Sequence, residues 1–288
     1  MTEEWTVRRI LDWTTAHFKQ HGSDTPRLDA EILLAHARAC RRIELYTHFD
    51  EPLTDAQRAV MRELAKRRAK SEPVAYLVGH REFFSLEFRV TPDVLIPRPD
   101  TETLVVELID AAKPLESPRI LDIGTGSGCI AVAAAVNLPK AQITATDLSE
   151  AALAIARENA QTHAVADRIR FLQGDLFGPL PPGEQFEVIA SNPPYIADHE
   201  RETLQNDVRR YEPHTALFAG PSGTEIVFRI IDGAASRLTP GGMLLLEISS
   251  EQADAVRARV EATGCYDDVR VLKDAAGLLR VVRARKII

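Results

Sequence analysis

The chain has 288 residues, 45% hydrophobic and 27% charged, which is ordinary for a folded soluble protein and leaves room for one large domain with a small partner. Its longest uncharged apolar run, Cys129 to Val136, falls far short of the ~18 residues of a membrane span, and Met1-Thr2-Glu3-Glu4-Trp5 lacks the basic and apolar start of a signal peptide, so no membrane partner is expected. The net charge of −7 is uneven: residues 1–90 hold 15 Lys/Arg against 14 Asp/Glu, or +1, and the remaining 198 carry −8, a poor match for a nucleic-acid backbone.

Three scattered cysteines, Cys40, Cys129 and Cys265, fit neither a disulfide framework nor a zinc site and point to a reducing cytoplasm. His17, His21 and His36 fall on predicted helices without acidic or cysteine partners at ligand spacing, so no metal is expected.

In chain order, residues 1–73 read as a helical domain. Val7, Ile10, Leu11, Thr14 and Phe18 share one helical face, with Gly22 as the stop. Leu28, Ile32 and Ala35 continue the pattern after Thr25-Pro26. Thr54 and Gln57 have capping-box spacing and open a helix to about Lys70. Its basic flank, Arg58, Arg62, Lys66, Arg67, Arg68 and Lys70, reads as a solvated face. Residues 74–95 read as a β-hairpin linker, with strands at Val74–Val78 and Leu86–Val90 about Gly79-His80. The loop Ile96-Pro97-Arg98-Pro99-Asp100-Thr101-Glu102 follows, its backbone stiffened by two prolines. Residues 96–288 form the largest domain. Within it strands begin near Arg119, Gln142, Ile169, Phe186, Met243, Val269 and Arg280 and alternate with helices, the pattern of an open α/β sheet.

Ligands of such sheets bind beyond the carboxyl ends of the strands, and four features fall there. Asp122-Ile123-Gly124-Thr125-Gly126-Ser127-Gly128 follows the first strand. Its glycines let the chain turn sharply and let a ligand lie against the backbone. The spacing is G-x-G-x-G rather than the dinucleotide G-x-G-x-x-G, which argues against an NAD-dependent dehydrogenase. Asp147, 19 residues after Gly128, can accept both hydroxyls of a ribose; the plainer reading, a helix N-cap, is open to Ser149 instead. Gly174-Asp175-Leu176-Phe177 offers a carboxylate and a backbone N–H to an adenine edge, although Gly-Asp is also common turn chemistry.

Ser191-Asn192-Pro193-Pro194-Tyr195 is the sharpest of the four. Each Pro restricts the residue before it, so the Asn192 side-chain oxygen and the Pro193 carbonyl are held as two acceptors, suited to an NH₂ group. Tyr195 offers a flat face to a planar substrate. An amide or aromatic amine nitrogen is a poor nucleophile because its lone pair is delocalised. Two fixed carbonyl dipoles would align it and stabilise the positive charge growing on it, without a strong general base. The motif leaves glutamine and adenine both open, and a plain binding module would not need the paired acceptors.

At these residues the sequence resembles the peptide chain release factor N(5)-glutamine methyltransferases (PrmC/HemK type), over essentially its whole length. The resemblance rests on Arg27-Leu28-Asp29-Ala30-Glu31, the hairpin around Gly79, Ile96 to Glu102, Gly124 to Gly128, and Asn192 to Tyr195. It implies a seven-stranded Rossmann-like S-adenosylmethionine-dependent methyltransferase domain of the α/β class, its last strands antiparallel, preceded by a small all-helical domain and a β-hairpin linker. It further implies a helical domain that grips a protein substrate, the glutamine of the Gly-Gly-Gln motif in class-I release factors. Gly124, Thr125, Gly126, Ser127, Gly128, Asp147, Asp175, Leu176 and Asn192 would hold S-adenosylmethionine, with S-adenosylhomocysteine as product. Asn192, Pro193, Pro194 and Tyr195 would hold the glutamine, with Asn192, Pro193 and Tyr195 as the catalytic set. A monomer is expected, with no direct nucleic-acid partner. Two rivals share the amide pocket: a glutamine methyltransferase of a ribosomal protein, and an adenine N6 nucleic-acid methyltransferase, which would call for a basic groove. Two departures from the family pattern are Leu176, where some relatives carry an aromatic residue, and Leu278, where an arginine often follows the glycine.

Overall fold

The computed structural model describes residues 4–287, and the chain separates into two compact units. The first runs to His80 and includes Gln205–Tyr211; the second comprises Arg81–Leu204 and the chain from Glu212 onward.

The helical unit contains α1 (Val7–Gln20), α2 (Pro26–Arg38), α3 (Arg42–Thr47), α4 (Asp55–Arg68) and α5 (Val74–Val78). In α1 the buried residues are Val7, Ile10, Leu11, Thr14 and Phe18, the face expected from the period, and Gly22 ends it at φ +80°. In α2 the buried face is turned from the expected one. Ala30, Leu33, Leu34 and Ala35 are inside, whereas Leu28 is exposed and Ile32 half-buried. Two buried acids account for the turn. Asp29 accepts from Arg68 Nε at 2.8 Å, Ser23 Oγ at 2.7 Å and Thr25 Oγ1 at 2.9 Å. Glu31 accepts from Arg27 at 2.8 Å, from Arg42 at 3.2 Å and from the Tyr46 hydroxyl. With those carboxylates satisfied, the i, i+3, i+4 set 30, 33, 34 can pack inward. The Arg68 side chain is correspondingly only 11% exposed, so the flank of α4 is not solvated throughout.

The capping box of α4 is formed. Gln57 N–H donates to Thr54 Oγ1 at 3.2 Å, and Thr54 N–H donates to Gln57 Oε1 at 3.0 Å. Replacing Thr54 by Ala removes one of these bonds and is expected to lower unfolding free energy by about 1 kcal/mol, read from the midpoint of urea unfolding at unchanged m-value.

Val74–Val78 forms a helix, not the expected strand. Pro73 precedes it at φ −58°, and Gly79 closes it at φ +83°, its N–H bonded to Ala75 O at 2.8 Å. Burial of Ala75, Tyr76 and Leu77 overrides the β-propensity of Val and Tyr, which measures fit to a surface more than a backbone preference. The hairpin lies just beyond, between β1 (His80–Phe83) and β2 (Leu86–Arg89). Its two turn residues, Phe84 and Ser85, have φ of +52° and +59°, the left-handed pair that matches strand twist.

The second unit continues with α6 (Glu102–Ala112), β3 (Arg119–Ile123), α7 (Cys129–Asn137), β4 (Gln142–Asp147), α8 (Glu150–Thr162), β5 (Ile169–Gln173), β6 (Phe186–Ser191) and β7 (Ile196–Ala197). The helix α9 (Asn206–Tyr211) belongs to the first unit, where Gln205 Nε2 donates to Asp24 at 2.8 Å and the Tyr211 hydroxyl to Lys70 O at 3.1 Å. Then come α10 (His214–Leu217), β8 (Phe218–Gly220), α11 (Glu225–Arg237), β9 (Leu238–Glu247), α12 (Ala253–Ala262), β10 (Tyr266–Lys273) and β11 (Leu279–Lys286).

Seven strands form one sheet in the order β10-β11-β9-β6-β3-β4-β5. β9, β6, β3, β4 and β5 pair in parallel, while β11 pairs antiparallel with both β9 and β10. Successive residues point to opposite faces. Ile120, Val188 and Val281 enter a core with α6 and α7; Leu121, Ile189 and Val282 enter another with α11 and α12. Helices thus cover both faces, as a buried parallel sheet requires. The apolar run at Cys129–Val136 is α7, buried from Ile130 to Ala135. Chain order reverses between β3 and β6, and in such sheets the crevice at that reversal is the place for a ligand.

Candidate active site

The glycine loop leaves β3 and enters α7. Gly124, Gly126 and Gly128 have φ of +71°, +55° and +81°, a region that costs other L-residues roughly 1–2 kcal/mol. At Gly128 a Cβ would also lie 3.1 Å from Ala156 Cβ, whereas nothing lies within 4 Å of one built at Gly124 or Gly126. The loop therefore presses on α8 on one side and opens a bare backbone cradle on the other. Gly124 and Thr125 N–H both donate to Thr146 O, at 2.8 and 3.0 Å, which joins it to the end of β4. Asn159 in α8 braces it from behind, donating to Ser127 O at 2.8 Å while pairing with the backbone of Arg89 in the hairpin.

Asp147 ends β4 beside this cradle. One carboxylate oxygen accepts from Gly126 N–H and the other from Ser149 N–H, each at 2.9 Å. The N-cap of α8 is Ser149, whose Oγ accepts from Ala152 N–H at 3.1 Å. Burial raises the Asp147 pKa above the ordinary aspartate value, against the backbone N–H groups that favour its charge. Asp122, fully buried at the start of the loop, is pushed up to about 7 by burial, with Thr125 Oγ1 donating to Oδ2 at 2.6 Å. Among the described residues its Oδ1 and the buried Ser127 Oγ have no well-formed hydrogen bond.

After β5, Leu176 stands at φ +49°, uncommon for a bulky residue. It packs against the core of α11, and Asp175 beside it is paired with Arg229 of that helix. After β6, Ser191 Oγ donates to Ile123 O at 2.7 Å and ties the fourth loop to the first. The Asn192 amide donates through Nδ2 to Thr101 Oγ1 at 3.0 Å. Tyr195 is pushed up to about 12 by burial, and its carbonyl accepts from Gln252 Nε2 at 2.8 Å.

These loops border one cavity of about 430 Å³. Gly124, Gly126, Asp147, Asp175, Leu176, Asn192 and Pro194 line it, joined by Val94, Leu95 and Ile226. Thr125, Ser127 and Pro193 are buried behind the lining, and Gly128 and Tyr195 are also outside it. The lining fits the nucleoside and sulfonium group of S-adenosylmethionine in chemistry. It offers a cradle that a Cβ would fill, carboxylates to take hydroxyl donors and meet a positive charge, and apolar side chains for a base.

The proline loop has a role that spacing alone did not reveal. Arg98 pairs with buried Glu212 and donates to Ile96 O at 3.0 Å; Glu212 also accepts from Ile96 N–H at 3.2 Å. Asp100 pairs with Arg280 at 3.1 Å, Thr101 receives Asn192, and Glu102 accepts from Phe84 N–H at 3.0 Å. Arg280 also pairs with Asp274 at 3.1 Å, so this arginine anchors the C-terminal tail, while Leu278 is exposed. Fully buried Glu247, at the end of β9, is a lone Glu after Leu-Leu-Leu and carries no spacing signal in the sequence.

Family models match residues 9–79 as the PrmC N-terminal domain and residues 99–209 as the methyltransferase small domain. The chain is 50% identical to a release factor glutamine methyltransferase of Rhodopirellula baltica, over 98% of this chain and 97% of that one. It is 43% identical to one of Geobacter sulfurreducens, over 99% of each. A methyltransferase of Pyrococcus furiosus superposes with a TM-score of 0.51 at 21% identity, over 72% of this chain and 91% of that one. The Thermus thermophilus 16S rRNA N2 G1207 methyltransferase does so with 0.53 at 19%, over 72% and 49%. These last two likenesses concern the fold alone.

Proposed function

Since the chain belongs to the release factor glutamine methyltransferase family, we propose that its cavity brings S-adenosylmethionine and the glutamine of a release factor's Gly-Gly-Gln motif together, for methylation at the side-chain N5. The observation that carries this reading is the Asn192 amide. Its Nδ2 is engaged by Thr101, which leaves Oδ1 as an acceptor at a cavity that also contains the glycine cradle and Asp147.

Gly124, Gly126, Asp147, Asp175 and Leu176 hold the cofactor, with Thr125, Ser127 and Gly128 shaping the loop behind them. The open backbone at Gly124 and Gly126 admits it closely, Asp147 takes its ribose hydroxyls, and the Asp175–Leu176 segment meets the adenine. Bound there, S-adenosylmethionine supplies an electrophilic methyl group and leaves as S-adenosylhomocysteine. Asn192 Oδ1 and the Pro193 carbonyl accept the two amide hydrogens of the glutamine, fix the nitrogen in line and stabilise the positive charge that grows on it. Pro194 and Tyr195 complete the pocket. The alkylated nitrogen is strongly acidic, so its proton passes to water and no strong base is required.

In this reading residues 1–73 grip the protein substrate, residues 74–95 link the domains, and residues 96–288 carry the chemistry. The enzyme acts as a cytoplasmic monomer, without a metal and without a direct nucleic-acid partner; the −8 carried by residues beyond 90 supports the last point.

The test is methyl transfer from labelled cofactor to purified class-I release factor, the same factor with its Gly-Gly-Gln glutamine replaced, ribosomal proteins and DNA. Label is expected on the intact release factor alone. Label on a ribosomal protein or on DNA, with none on the release factor, would overturn the assignment.

A further inference from the structure

Glu247 lies at the end of β9, beside the segment that carries Asn192. Ser191 pairs with Leu246 across the parallel ladder, and Glu247 pairs with Val281 on the other side. The side chain is fully buried, and neither carboxylate oxygen has a well-formed hydrogen bond among the described residues, although the Thr101 hydroxyl and the Asn192 amide lie near enough to favour its charge. A buried acid left in this way is costly, and such a group in a folded protein calls for an explanation. The groups that face it come from four elements: Asp100 and Thr101 of the proline loop, Asn192 and Tyr195 after β6, Arg280 of β11, and Cys129 of α7. Burial pushes both Tyr195 and Cys129 up to about 12 and keeps them neutral, so the charges around Glu247 are those of Asp100 and Arg280. These two are paired with one another at 3.1 Å.

We infer that Glu247 is a positioning residue, which acts through Thr101 to hold the Asn192 amide with Nδ2 inward and Oδ1 toward the substrate. The inference rests on the reading of Asn192 as the residue that binds the glutamine amide. An asparagine amide is nearly symmetrical in shape, with an acceptor at one end and a donor at the other. Only its partners decide which end faces the cavity. A threonine hydroxyl donates one hydrogen bond and accepts others. When Thr101 accepts from Asn192, at 3.0 Å, its own proton needs an acceptor. The ionised Glu247 carboxylate is one, and a hydroxyl oriented toward it cannot donate to Asn192 Oδ1. Once protonated, Glu247 can donate to Thr101 instead, whose hydroxyl proton is then free to turn toward Asn192 and favour the inverted amide. The mechanism therefore has a pH signature. Burial pushes Glu247 up to about 7, aided by the Asp100 charge and opposed first by the Thr101 hydroxyl, then by Arg280 and least by the Asn192 amide. Ionised Glu247 supports turnover, so kcat rises with pH through that region and falls on acidification.

The experiment compares wild type, Glu247→Gln, Thr101→Val and the double variant in kcat, KM for the release factor and cofactor affinity, across about pH 6 to 8. Expected are a kcat about tenfold lower in each single variant, little change in KM or cofactor affinity, a flat pH profile below pH 8, and a double variant no worse than either single one. Asp122 also titrates near 7, so a pH limb that survives in Glu247→Gln belongs there and overturns the inference. Unchanged kcat with only a lower Tm overturns it too. If Glu247→Gln does not fold, Thr101→Val decides alone, and a wild-type pH profile in it is the overturning result. Asn192→Ala serves as the reference: if it retains turnover, the reading of the site has failed. If it loses turnover while Glu247→Gln keeps its pH limb, only the role given to Glu247 has failed.

Discussion

Asn192→Ala is expected to lower kcat for methylation of the release factor by about 10²–10³-fold, or ~3–4 kcal/mol, the usual cost of removing one preorganised dipole from a developing charge. The substitution removes Oδ1, the acceptor proposed to face the substrate nitrogen, and also Nδ2, which donates to Thr101 at 3.0 Å. Ser191 still ties the loop to β3 through Ile123 O, and the two prolines still stiffen it, so the backbone stays in place and the loss falls on the chemical step. Single-turnover transfer of labelled methyl measures the step, and calorimetric titration with S-adenosylmethionine measures binding separately. Near-wild-type single-turnover rates in a variant that binds cofactor normally would end the proposed role of the Asn192–Tyr195 segment.

Asp147→Ala is expected to weaken cofactor binding by about 100-fold, ~3 kcal/mol. Two losses combine. The carboxylate that would accept the ribose hydroxyls disappears, and Gly126 N–H loses its partner at 2.9 Å, so the cradle itself is less well held. Helix α8 keeps its own cap at Ser149, and the fold is therefore expected to survive. The pH dependence has a definite sign. Burial raises the Asp147 pKa, and the ionised form is the one that accepts hydroxyls. Cofactor affinity in the wild type should therefore fall on acidification at a pH above the ordinary aspartate range, and the alanine variant should lack this loss. Titrations at a series of pH values, with circular dichroism to verify the fold, provide the measurement. An unchanged dissociation constant in Asp147→Ala would remove Asp147 from the cofactor site.

Where the sequence was legible, a local pattern coincided with a local physical cause. The buried set of α1 is its apolar period, and the start of α4 is the reciprocal bonding of Thr54 and Gln57. β3, β4 and β6 are the apolar runs themselves, buried along nearly their whole length between helices on both faces. Where it was not legible, distant partners set the outcome. Val74–Val78 has the composition of a strand and is a helix because Ala75, Tyr76 and Leu77 are buried there. The face of α2 turned because Asp29 and Glu31 found cationic partners as far away in sequence as Arg68.

For the site the division is similar. The sequence by itself determined the four loops, their order and their placement at one edge of a parallel sheet, since glycines and prolines act on the backbone where they stand. It also determined the family through Ile96 to Glu102 and Asn192 to Tyr195. Tertiary structure alone decided that Asn192 rests on Thr101, that Arg280 joins the tail to Asp100, and that Glu247 ends buried beside them. The partners lie tens to more than a hundred positions apart, and the pairing of β6, β9 and β11, with α6 and the proline loop before it packed against them, brings them within reach of one another. A buried carboxylate has no signature in sequence, because its energetics depend on what the folded chain places around it.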